Sequence, residues 1–295
     1  MLDLRTLRDE PRRVREAIRA KGLDTPDLVD EILDLDEKRR SAITELQDAQ
    51  ERSNTVSQQI GQLKQAGKDE EAQERIDETR ELKAKIKTLK EEVDELETEQ
   101  KRLMLDIPNI PHPSVPVGAT EDDNEVLEEI GDKPSFDFEP KPHWVLAEEH
   151  NLIDFERGAK VTGAGFPFYL GAGARLQRAL IAFFLDLAGT AGYTEMQAPL
   201  FVNDDSARGT GQLPDKEDLM YEIPRDEFYP IPTAEVPVTN FHRDEILDAD
   251  DLPIKYSAYT PCFRREAGSY GKDVRGLNRL HQFDKVELVQ IVHPD

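Results

Sequence analysis

The sequence predicts an α+β protein in which an N-terminal antiparallel coiled-coil helical hairpin precedes a domain built on an antiparallel β-sheet flanked by helices. Three observations support this prediction. Residues Pro26–Leu103 contain almost no glycine and repeat apolar side chains at heptad spacing. A proline-rich stretch, Ile107–Gly118, follows and cannot continue a helix. Beyond it, aromatic residues, glycines and short apolar runs become frequent, which is typical of α+β domains.

Two helical runs separated by a charged turn predict the hairpin. The turn is KQAGKDEE, with Gly67 near its centre. Because each run is about 37 residues long, each helix would extend roughly 55 Å and the hairpin would project from the rest of the protein. The apolar stripes consist of Leu28, Ile32, Leu35, Ile43, Leu46, Val56, Ile60 and Leu63 in the first run, and of Leu82, Ile86, Leu89, Val93, Leu96 and Leu103 in the second.

The sequence of this arm leaves two interpretations open. Most heptad runs are dimerisation coiled coils, although the internal turn favours pairing of the arm with itself. Cations cluster toward the tip and the second helix, which would suit nucleic acid, but a solvated helical face has the same pattern. These cations are Lys64, Lys68, Arg75, Arg80, Lys83, Lys85, Lys87 and Lys90.

Shorter elements are predicted on both sides of the arm. Residues 1–22 are predicted to form one amphipathic helix rather than a transit peptide, because acidic residues interrupt the arginines. Ala174–Gly192 is predicted as a buried amphipathic helix, and residues 193–202 as a strand interrupted by Pro199. Ile254–Val292 is predicted as an antiparallel hairpin with a long loop. Since no phosphate-binding glycine motif is satisfied, turns are predicted at Gly163, Gly165, Gly171 and Gly173.

These elements divide the chain into three segments. Residues 1–106 form the N-terminal domain, with the helical arm at about 27–103. Residues 107–118 are the proline-rich linker, and residues 119–295 form the second domain.

The composition excludes several classes of protein. A single cysteine, Cys262, rules out a disulfide within the chain and makes a cysteine-based zinc site improbable, and we interpret it as a small buried hydrophobe. No apolar stretch is long enough for a membrane helix, so we expect a cytoplasmic protein without a membrane partner. The formal net charge is −24, spread along the chain. Such self-repulsion suggests a halophilic protein that works in concentrated salt, and the alternative is an ordinary acidic protein.

One segment of this acidic chain is cationic. Phe263–Phe283 contains four arginines and a lysine among glycines and aromatic residues. Because strand side chains alternate, Arg264 and Glu266 should share a face of the first strand. In the second strand the shared face would carry Arg279, His281, Phe283, Lys285 and Glu287. Arginines suit phosphate or carboxylate, a ring can stack on a base, and carboxylates can accept hydrogen bonds from an amine. This face could therefore bind ATP beside an amino acid, although a salt-bridged sheet face is the alternative.

The sequence FRxE, a glycine-containing loop and then RxHQFxKVE resembles motif 2 of class II aminoacyl-tRNA synthetases, in particular the seryl-tRNA synthetase family. The resemblance extends over nearly the whole chain. The helical hairpin is similar to that family's tRNA-binding arm, and GYTEMQAPLFVN to its motif 1. The TAE triplet, FRREAGS and HQFDKVE together make the resemblance specific.

The resemblance implies ATP-dependent activation of L-serine and seryl transfer to tRNA(Ser), with tRNA(Sec) open as a second acceptor. ATP and Mg²⁺ are the implied cofactors, a homodimer is expected through motif 1 at Pro199, and no protein zinc ligands are evident. The implied serine-binding residues are Thr233, Ala234, Glu235, Arg264 and Glu287. The implied ATP-binding residues are Arg264, Arg265, Glu266, Arg279, Leu280 and Phe283. The implied contacts of the tRNA acceptor end are Ser269, Tyr270 and Lys272.

In one respect the sequence departs from the family pattern. The family has a third motif further downstream, and this sequence ends at Asp295 without it. We expect a fragment of a longer protein rather than a truncated relative, and in either case unpaired sheet edges put the activity of the isolated chain in question. Two other functions stay open: a non-catalytic paralogue that binds tRNA or an amino acid without aminoacylation, and a coiled-coil interaction protein.

Overall fold

The computed structural model describes residues 2–23, 25, 27–216, 218–266 and 275–293. The chain divides into two compact units, Met1–Gly131 and Asp132–Asp295. The first is helical and the second is mixed, so the predicted α+β class and the long N-terminal hairpin are confirmed. The predicted domain boundaries at residues 106 and 118 stay predictions. Within the described residues, no helix is both long and apolar enough to cross a membrane.

The first unit begins with two short helices, α1 (Leu4–Asp9) and α2 (Pro11–Ala20). The prediction of a single amphipathic helix over residues 1–22 was therefore wrong. Glu10 lies between the helices with φ −131° and ψ 49°, because the proline that follows disfavours the helical conformation of the residue before it. Both helices pack on the base of the arm in a core that contains Leu7, Val14, Ile18, Val29, Ile32, Leu103, Met104 and Ile107.

The arm consists of α3 (Leu28–Gln65) and α4 (Asp69–Met104), and the predicted hairpin is confirmed. Gly67 forms the turn with φ +70°, a conformation that glycine adopts without steric cost. The seam between the helices differs from the predicted stripe. Its buried positions include the small or polar residues Ala42, Ala49 and Ser53 on α3 and Ala72, Thr79 and Gln100 on α4. Predicted members such as Ile43 and Leu46 are only partly buried.

The segment that follows the arm, residues 107–142, contains no helix or strand apart from a short 3-10 turn at Glu121–Asp123. Most of its side chains are exposed, including Val126, Leu127 and Ile130. The prolines at its two ends, within residues 108–116 and 134–142, disfavour regular structure there, since a proline ring fixes φ and removes a backbone donor.

The second unit contains five helices, α5 (His143–Glu149), α6 (Phe155–Val161), α7 (Gly171–Thr190), α8 (Asp204–Gly209) and α9 (Glu235–Thr239), within its described part. Two 3-10 turns follow at Asn240–His242 and Ala249–Asp251. The strands are β1 (Ile153–Asp154), β2 (Phe168–Tyr169), β3 (Thr194–Glu195), β4 (Phe201–Val202), β5 (Tyr229–Pro230), β6 (Ile254–Phe263) and β7 (Gln282–Ile291).

The largest sheet has the strand order β3-β6-β7. Its β6–β7 hairpin is antiparallel from the Ile254–Ile291 pair to the Phe263–Gln282 pair, as predicted. The strand β3, however, joins β6 in parallel, so the sheet is mixed rather than purely antiparallel. Pairs of short antiparallel strands, β1–β2 and β4–β5, lie outside it. The predicted break at Pro199 is confirmed, because β3 and β4 are separate strands on either side of this exposed residue.

Two further expectations need correction. The helix α7 forms as predicted, but its apolar side chains are not buried: Leu176, Leu180, Phe183, Phe184 and Leu187 are 45 to 58% exposed. Periodicity identifies an apolar face without saying what covers it. The predicted turns at Gly163 and Gly165 are present, with positive φ, whereas Gly171 and Gly173 lie in the first turn of α7. Cys262 is fully buried, as expected.

Candidate functional site

The β6–β7 hairpin places three of the predicted face residues side by side. Cross-strand pairs join Cys262 to Phe283, Thr260 to Lys285 and Ala258 to Glu287. Since side chains alternate along a strand, Phe283, Lys285 and Glu287 project from one face of the sheet.

Thr233 approaches this face and completes a cluster with Glu287 and Lys285. The Thr233 Oγ1 donates to Glu287 Oε2 at 2.6 Å and accepts from Lys285 Nζ at 2.7 Å. The Lys285 Nζ also lies 2.5 Å from Glu287 Oε2. Burial opposes ionisation of Glu287, but the hydrogen bonds from Lys285 and Thr233 and the charges of Lys285 and Arg264 outweigh it, so the pKa of Glu287 is lowered. The cluster therefore holds an ionised carboxylate with its donors already arranged.

The three residues of the predicted serine-binding triplet differ in their burial. Thr233 is 4% exposed and Ala234 is fully buried, at the end of a buried strip that precedes α9. The backbone N–H of Glu235 donates to Thr233 Oγ1 at 3.2 Å, which fixes the hydroxyl. Glu235 itself is exposed at the start of α9 and is not part of the cluster.

Arg264 adjoins the cluster at the end of β6. Its Nε donates to the Pro232 carbonyl at 3.3 Å, and its guanidinium lies 5.2 Å from the centre of the Phe283 ring. The backbone N–H of Arg264 donates to His281 O at 2.9 Å, so the ladder continues beyond the assigned strands. A cation over a ring is attracted to its negative face, which holds both side chains in place.

Three of the remaining predicted nucleotide residues, Glu266, Arg279 and Leu280, form a second group. Arg279 Nη1 pairs with Glu266 Oε2 at 2.9 Å, and the Glu266 side chain is largely buried while that of Arg279 is exposed. Leu280 beside them is buried. Glu266 has φ +49°, so it does not continue the strand geometry that predicted a face shared with Arg264. Arg265 instead pairs with Asp218 at 3.2 Å.

His281 is held apart from the face on which the alternation placed it. Its Nδ1 is hydrogen bonded to the Tyr221 hydroxyl at 2.9 Å, and its ring stacks on Phe166 at 5.3 Å between ring centres. The His281 backbone N–H donates to Gly165 O at 2.9 Å. The ring therefore holds the loop end of the β6–β7 hairpin in place.

A cavity of about 820 Å³ lies next to Glu266, Arg279 and Leu280. Its far wall comes from α5, α6 and the turn around Gly165, which sequence reasoning did not connect with the site. The end of the hairpin loop is fixed to α5, since Leu277 N–H donates to His143 Nε2 at 2.8 Å and the Arg275 guanidinium lies 5.7 Å from a Trp144 ring centre. No local pattern in the sequence signals these contacts.

Three predicted residues of the tRNA acceptor-end loop, Ser269, Tyr270 and Lys272, lie outside the described residues. Pro199, predicted at a dimer interface, is exposed between β3 and β4. Among the residues that the structure describes, no group of three or more His, Cys, Asp or Glu side chains could hold a metal ion.

Comparisons with known proteins point to one family. The family model of the seryl-tRNA synthetase N-terminal domain matches residues 1–111, and that of the class II tRNA synthetase core domain (G, H, P, S and T) matches residues 220–295. The serine–tRNA ligase of Salinibacter ruber is 72% identical over the whole chain, and that of Exiguobacterium sibiricum is 50% identical. The chain spans 69% of the length of each relative.

Solved structures give the same result. The seryl-tRNA synthetase of Pyrococcus horikoshii complexed with ATP matches 98% of this chain, and the match covers 69% of that protein, with a TM-score of 0.85 and 35% identity. The cytoplasmic serine–tRNA ligase of Naegleria fowleri in complex with AMP matches the whole chain, and the match covers 67% of that protein, with a TM-score of 0.81 and 30% identity.

Proposed function

Because the chain belongs to the seryl-tRNA synthetase family of class II aminoacyl-tRNA synthetases, we propose that it activates L-serine with ATP to seryl-adenylate and transfers the seryl group to tRNA(Ser). The observation that carries the proposal is the position of the Thr233–Lys285–Glu287 cluster beside the Arg264–Phe283 pair. A buried hydroxyl and carboxylate suit an amino acid, while the arginine and ring suit a nucleotide.

In the amino-acid subsite, Glu287 and Thr233 bind the serine ammonium or hydroxyl. Ala234 forms part of the wall, and Glu235 is retained as a proposed serine contact although it is exposed in this structure. Alanine is rejected because it would leave the polar groups of this pocket without partners, which costs more than a lost methyl contact.

In the nucleotide subsite, Phe283 stacks on the adenine, and Leu280 and Glu266 contact the base. Arg264 bridges the α-phosphate and the serine carboxylate, and Arg279 reaches the terminal phosphates. Arg265 is also retained as a proposed ATP contact, although in this structure it pairs with Asp218. That the two structural relatives are complexes with ATP and with AMP supports a nucleotide as ligand of this chain.

The reaction follows from these positions. A serine carboxylate oxygen attacks the α-phosphorus, the bond to the bridging oxygen breaks, and pyrophosphate leaves in line. Arg264 neutralises charge on the reacting groups, while the cluster fixes the serine. Bound Mg²⁺ would supply further neutralisation and would be held mainly by the substrate phosphates. A terminal ribose hydroxyl of tRNA then attacks the seryl carbonyl and AMP leaves.

The nucleic acid would meet two parts of the chain. The arm of α3 and α4 is proposed to bind tRNA(Ser), and Ser269, Tyr270 and Lys272 are proposed to approach its acceptor end. A homodimer through the region of Pro199 and a cytoplasmic location complete the proposal. Transfer to tRNA(Ser) and to tRNA(Sec) would be compared by aminoacylation of each tRNA with labelled serine.

Serine-dependent ATP–pyrophosphate exchange at high KCl tests this function. It would be measured for the 295-residue chain and for a chimera in which the C-terminal part of the Salinibacter ruber relative is added. Arg264→Ala should abolish exchange, whereas Arg208→Ala, which removes an arginine paired with Asp204 on α8, should not. Absence of exchange with serine in both proteins would contradict catalysis and favour a paralogue that only binds tRNA or an amino acid.

A further inference from the structure

Lys285 occupies the centre of the amino-acid subsite, although it was not among the residues expected to bind a ligand. Its Nζ lies 2.5 Å from Glu287 Oε2 and 2.7 Å from Thr233 Oγ1. These are the two groups proposed to bind the serine ammonium. A lysine ammonium and an α-ammonium are the same chemical group, with N–H donors around a single positive charge. The subsite thus contains an ammonium that belongs to the protein.

We propose that Lys285 is the internal counter-ion of this subsite: its ammonium takes the place of the substrate ammonium in the empty protein, excludes other cations and moves away when serine binds. The inference rests on the proposed function, because it takes the Thr233–Glu287 pair as the ammonium site. It adds a residue that sets the affinity and selectivity of that site.

The three side chains of the cluster differ in how freely they can move, and the exchange needs only one of them to move. Thr233 is buried and its hydroxyl is fixed by the Glu235 N–H, and Glu287 is held in the middle of β7. The Lys285 side chain is 31% exposed and ends a flexible four-carbon stem, so it can swing toward water. Substrate therefore displaces the lysine while the two recognition groups stay in position.

The charge balance explains why a counter-ion is needed. Without Lys285, Glu287 would be a mostly buried carboxylate in a protein of net charge −24, and monovalent cations concentrate around such a protein. Arg264 also lowers the pKa of Glu287 through its charge, but its guanidinium is engaged by the Pro232 carbonyl and the Phe283 ring, so Lys285 is the cation in direct contact with the carboxylate. Exchange of one ammonium for another keeps Glu287 neutralised throughout, and a ligand that lacks an ammonium cannot displace the lysine.

Replacement of Lys285 should open the subsite to small cations. Serine affinity would be measured by isothermal titration calorimetry for the wild type and for Lys285→Met, in KCl and in tetramethylammonium chloride at equal ionic strength. Tetramethylammonium cannot donate hydrogen bonds and is too large for the cluster. In the wild type the two salts should give the same affinity within about twofold. In Lys285→Met, KCl should weaken serine binding at least about fivefold relative to tetramethylammonium chloride.

A substrate-free measurement tests the counter-ion role separately. Potassium should raise the thermal stability of Lys285→Met above that in tetramethylammonium chloride, and this difference should exceed that of the wild type. The matched control is Lys255→Met: Lys255 lies on the neighbouring strand β6, with its Nζ 5.6 Å from the Tyr193 ring centre, and should behave as the wild type. Should the methionine variant not fold, Lys285→Gln removes the same charge and keeps a polar end.

Three outcomes are decisive. Equal stability and equal serine affinity in the two salts for a folded Lys285 variant would overturn the inference. Loss of serine binding in both salts would also overturn it, because Lys285 would then be a required ligand rather than a displaced counter-ion. Absence of serine binding in either salt, by the wild-type chain and by the extended chimera alike, would contradict the proposed function, while the substrate-free measurement would still decide whether Lys285 excludes cations.

Discussion

Arg8 on α1 holds Asp36 on α3 through two hydrogen bonds, from Nε and Nη2, each of 2.7 Å. Asp36 is 1% exposed, and it also accepts from Arg40 Nε at 3.1 Å and from Gln100 Nε2 at 3.3 Å. One buried carboxylate therefore ties α1 to both helices of the arm at its base. Burying a charge with this many donors reduces the stability of the folded state little while all partners are present. Removal of one partner reduces that stability strongly.

Asp36→Ala should destabilise the helical unit strongly. The change leaves Arg8 and Gln100 without their shared acceptor, and breaking a buried pair costs about 3–5 kcal/mol. Because Arg8 can partly return to water, we expect about 2–4 kcal/mol in the free energy of unfolding, measured by urea denaturation with circular dichroism. Asp34→Ala, on the same helix but 64% exposed and paired with Lys38, should change it by less than about 1 kcal/mol. Equal losses in the two variants would contradict a special role of Asp36.

The same carboxylate should make stability depend on pH in the acid range. The hydrogen bond from Arg8 is the main reason that the pKa of Asp36 is lowered from 3.8 to about 2. Since the folded pKa is below the unfolded one, the stabilisation is complete above about pH 4 and is lost as pH falls toward 2. It amounts to roughly 2 kcal/mol. The free energy of unfolding of the wild type should therefore fall more steeply than that of Asp36→Asn between about pH 4 and pH 2. Parallel pH profiles would show that Asp36 is not responsible.

Local periodicity predicted the elements of this protein well. The leucine spacing and the turn at Gly67 are local features, and they predicted the arm; likewise the alternation in β7 placed Lys285 beside Glu287. Burial was predicted less well. The apolar face of α7 was expected inside, and within the described residues it faces outward, because periodicity does not identify the packing partner.

The contacts that shape the site come from distant parts of the chain. Thr233 meets Lys285 across 52 residues, and His143 meets Leu277 across 134. The His281 ring was expected on the ligand face, but stacking on Phe166 and the Tyr221 hydroxyl hold it elsewhere. Tertiary packing decides such orientations, and no single-sequence pattern contains that information.

Phe283→Leu should separate nucleotide binding from serine binding. The ring lies under the Arg264 guanidinium and is proposed to stack on adenine, and a base stacked on an aromatic ring contributes about 1–3 kcal/mol. We expect the KM for ATP in the exchange assay to rise about 5- to 100-fold, with serine affinity by calorimetry changed by less than about threefold. Phe201→Leu, at a half-exposed phenylalanine on β4, is the control and should alter neither. An unchanged KM for ATP in the Phe283 variant would remove the ring from the nucleotide site.

Gly165→Ala should disturb the loop end of the β6–β7 hairpin through His281. A Cβ at this position would lie 2.4 Å from His281 Cδ2, and the backbone has φ +84°. Gly163→Ala is a matched control, because Gly163 also has positive φ, +133°, but open space around it. Both variants have a backbone cost of about 1–3 kcal/mol. Overpacking should add roughly 1–3 kcal/mol at position 165 alone.

Thermal unfolding and ATP affinity would be measured for both glycine variants. Only Gly165→Ala should weaken ATP binding, since displacement of His281 moves the adjacent Leu280 and Arg279. If the two variants lose the same stability and both retain ATP affinity, the close contact between Gly165 and His281 has no functional consequence.

Salt should stabilise the folded chain. The sequence has 62 acidic residues against 38 lysines and arginines, so the folded state brings a net charge of −24 into a small volume. Added KCl also screens favourable ion pairs, but pairs such as Arg12–Glu16 are highly exposed and each contributes only about 0–1 kcal/mol. The repulsion among all the excess charges should therefore dominate. We expect the free energy of unfolding, measured by urea denaturation, to rise between about 0.1 M and 1 M KCl, over which the Debye length falls from about 10 Å to 3 Å.

The control for this salt effect is the same titration near the isoelectric point of about 4.7, where the net charge is close to zero. Screening has little net repulsion to remove there, so the rise should be much smaller. A rise of equal size at both pH values would point to salt exclusion from the surface rather than to screening. Stability that falls as KCl approaches molar concentration at neutral pH would contradict adaptation to concentrated salt, because favourable pairs would then outweigh the acidic excess.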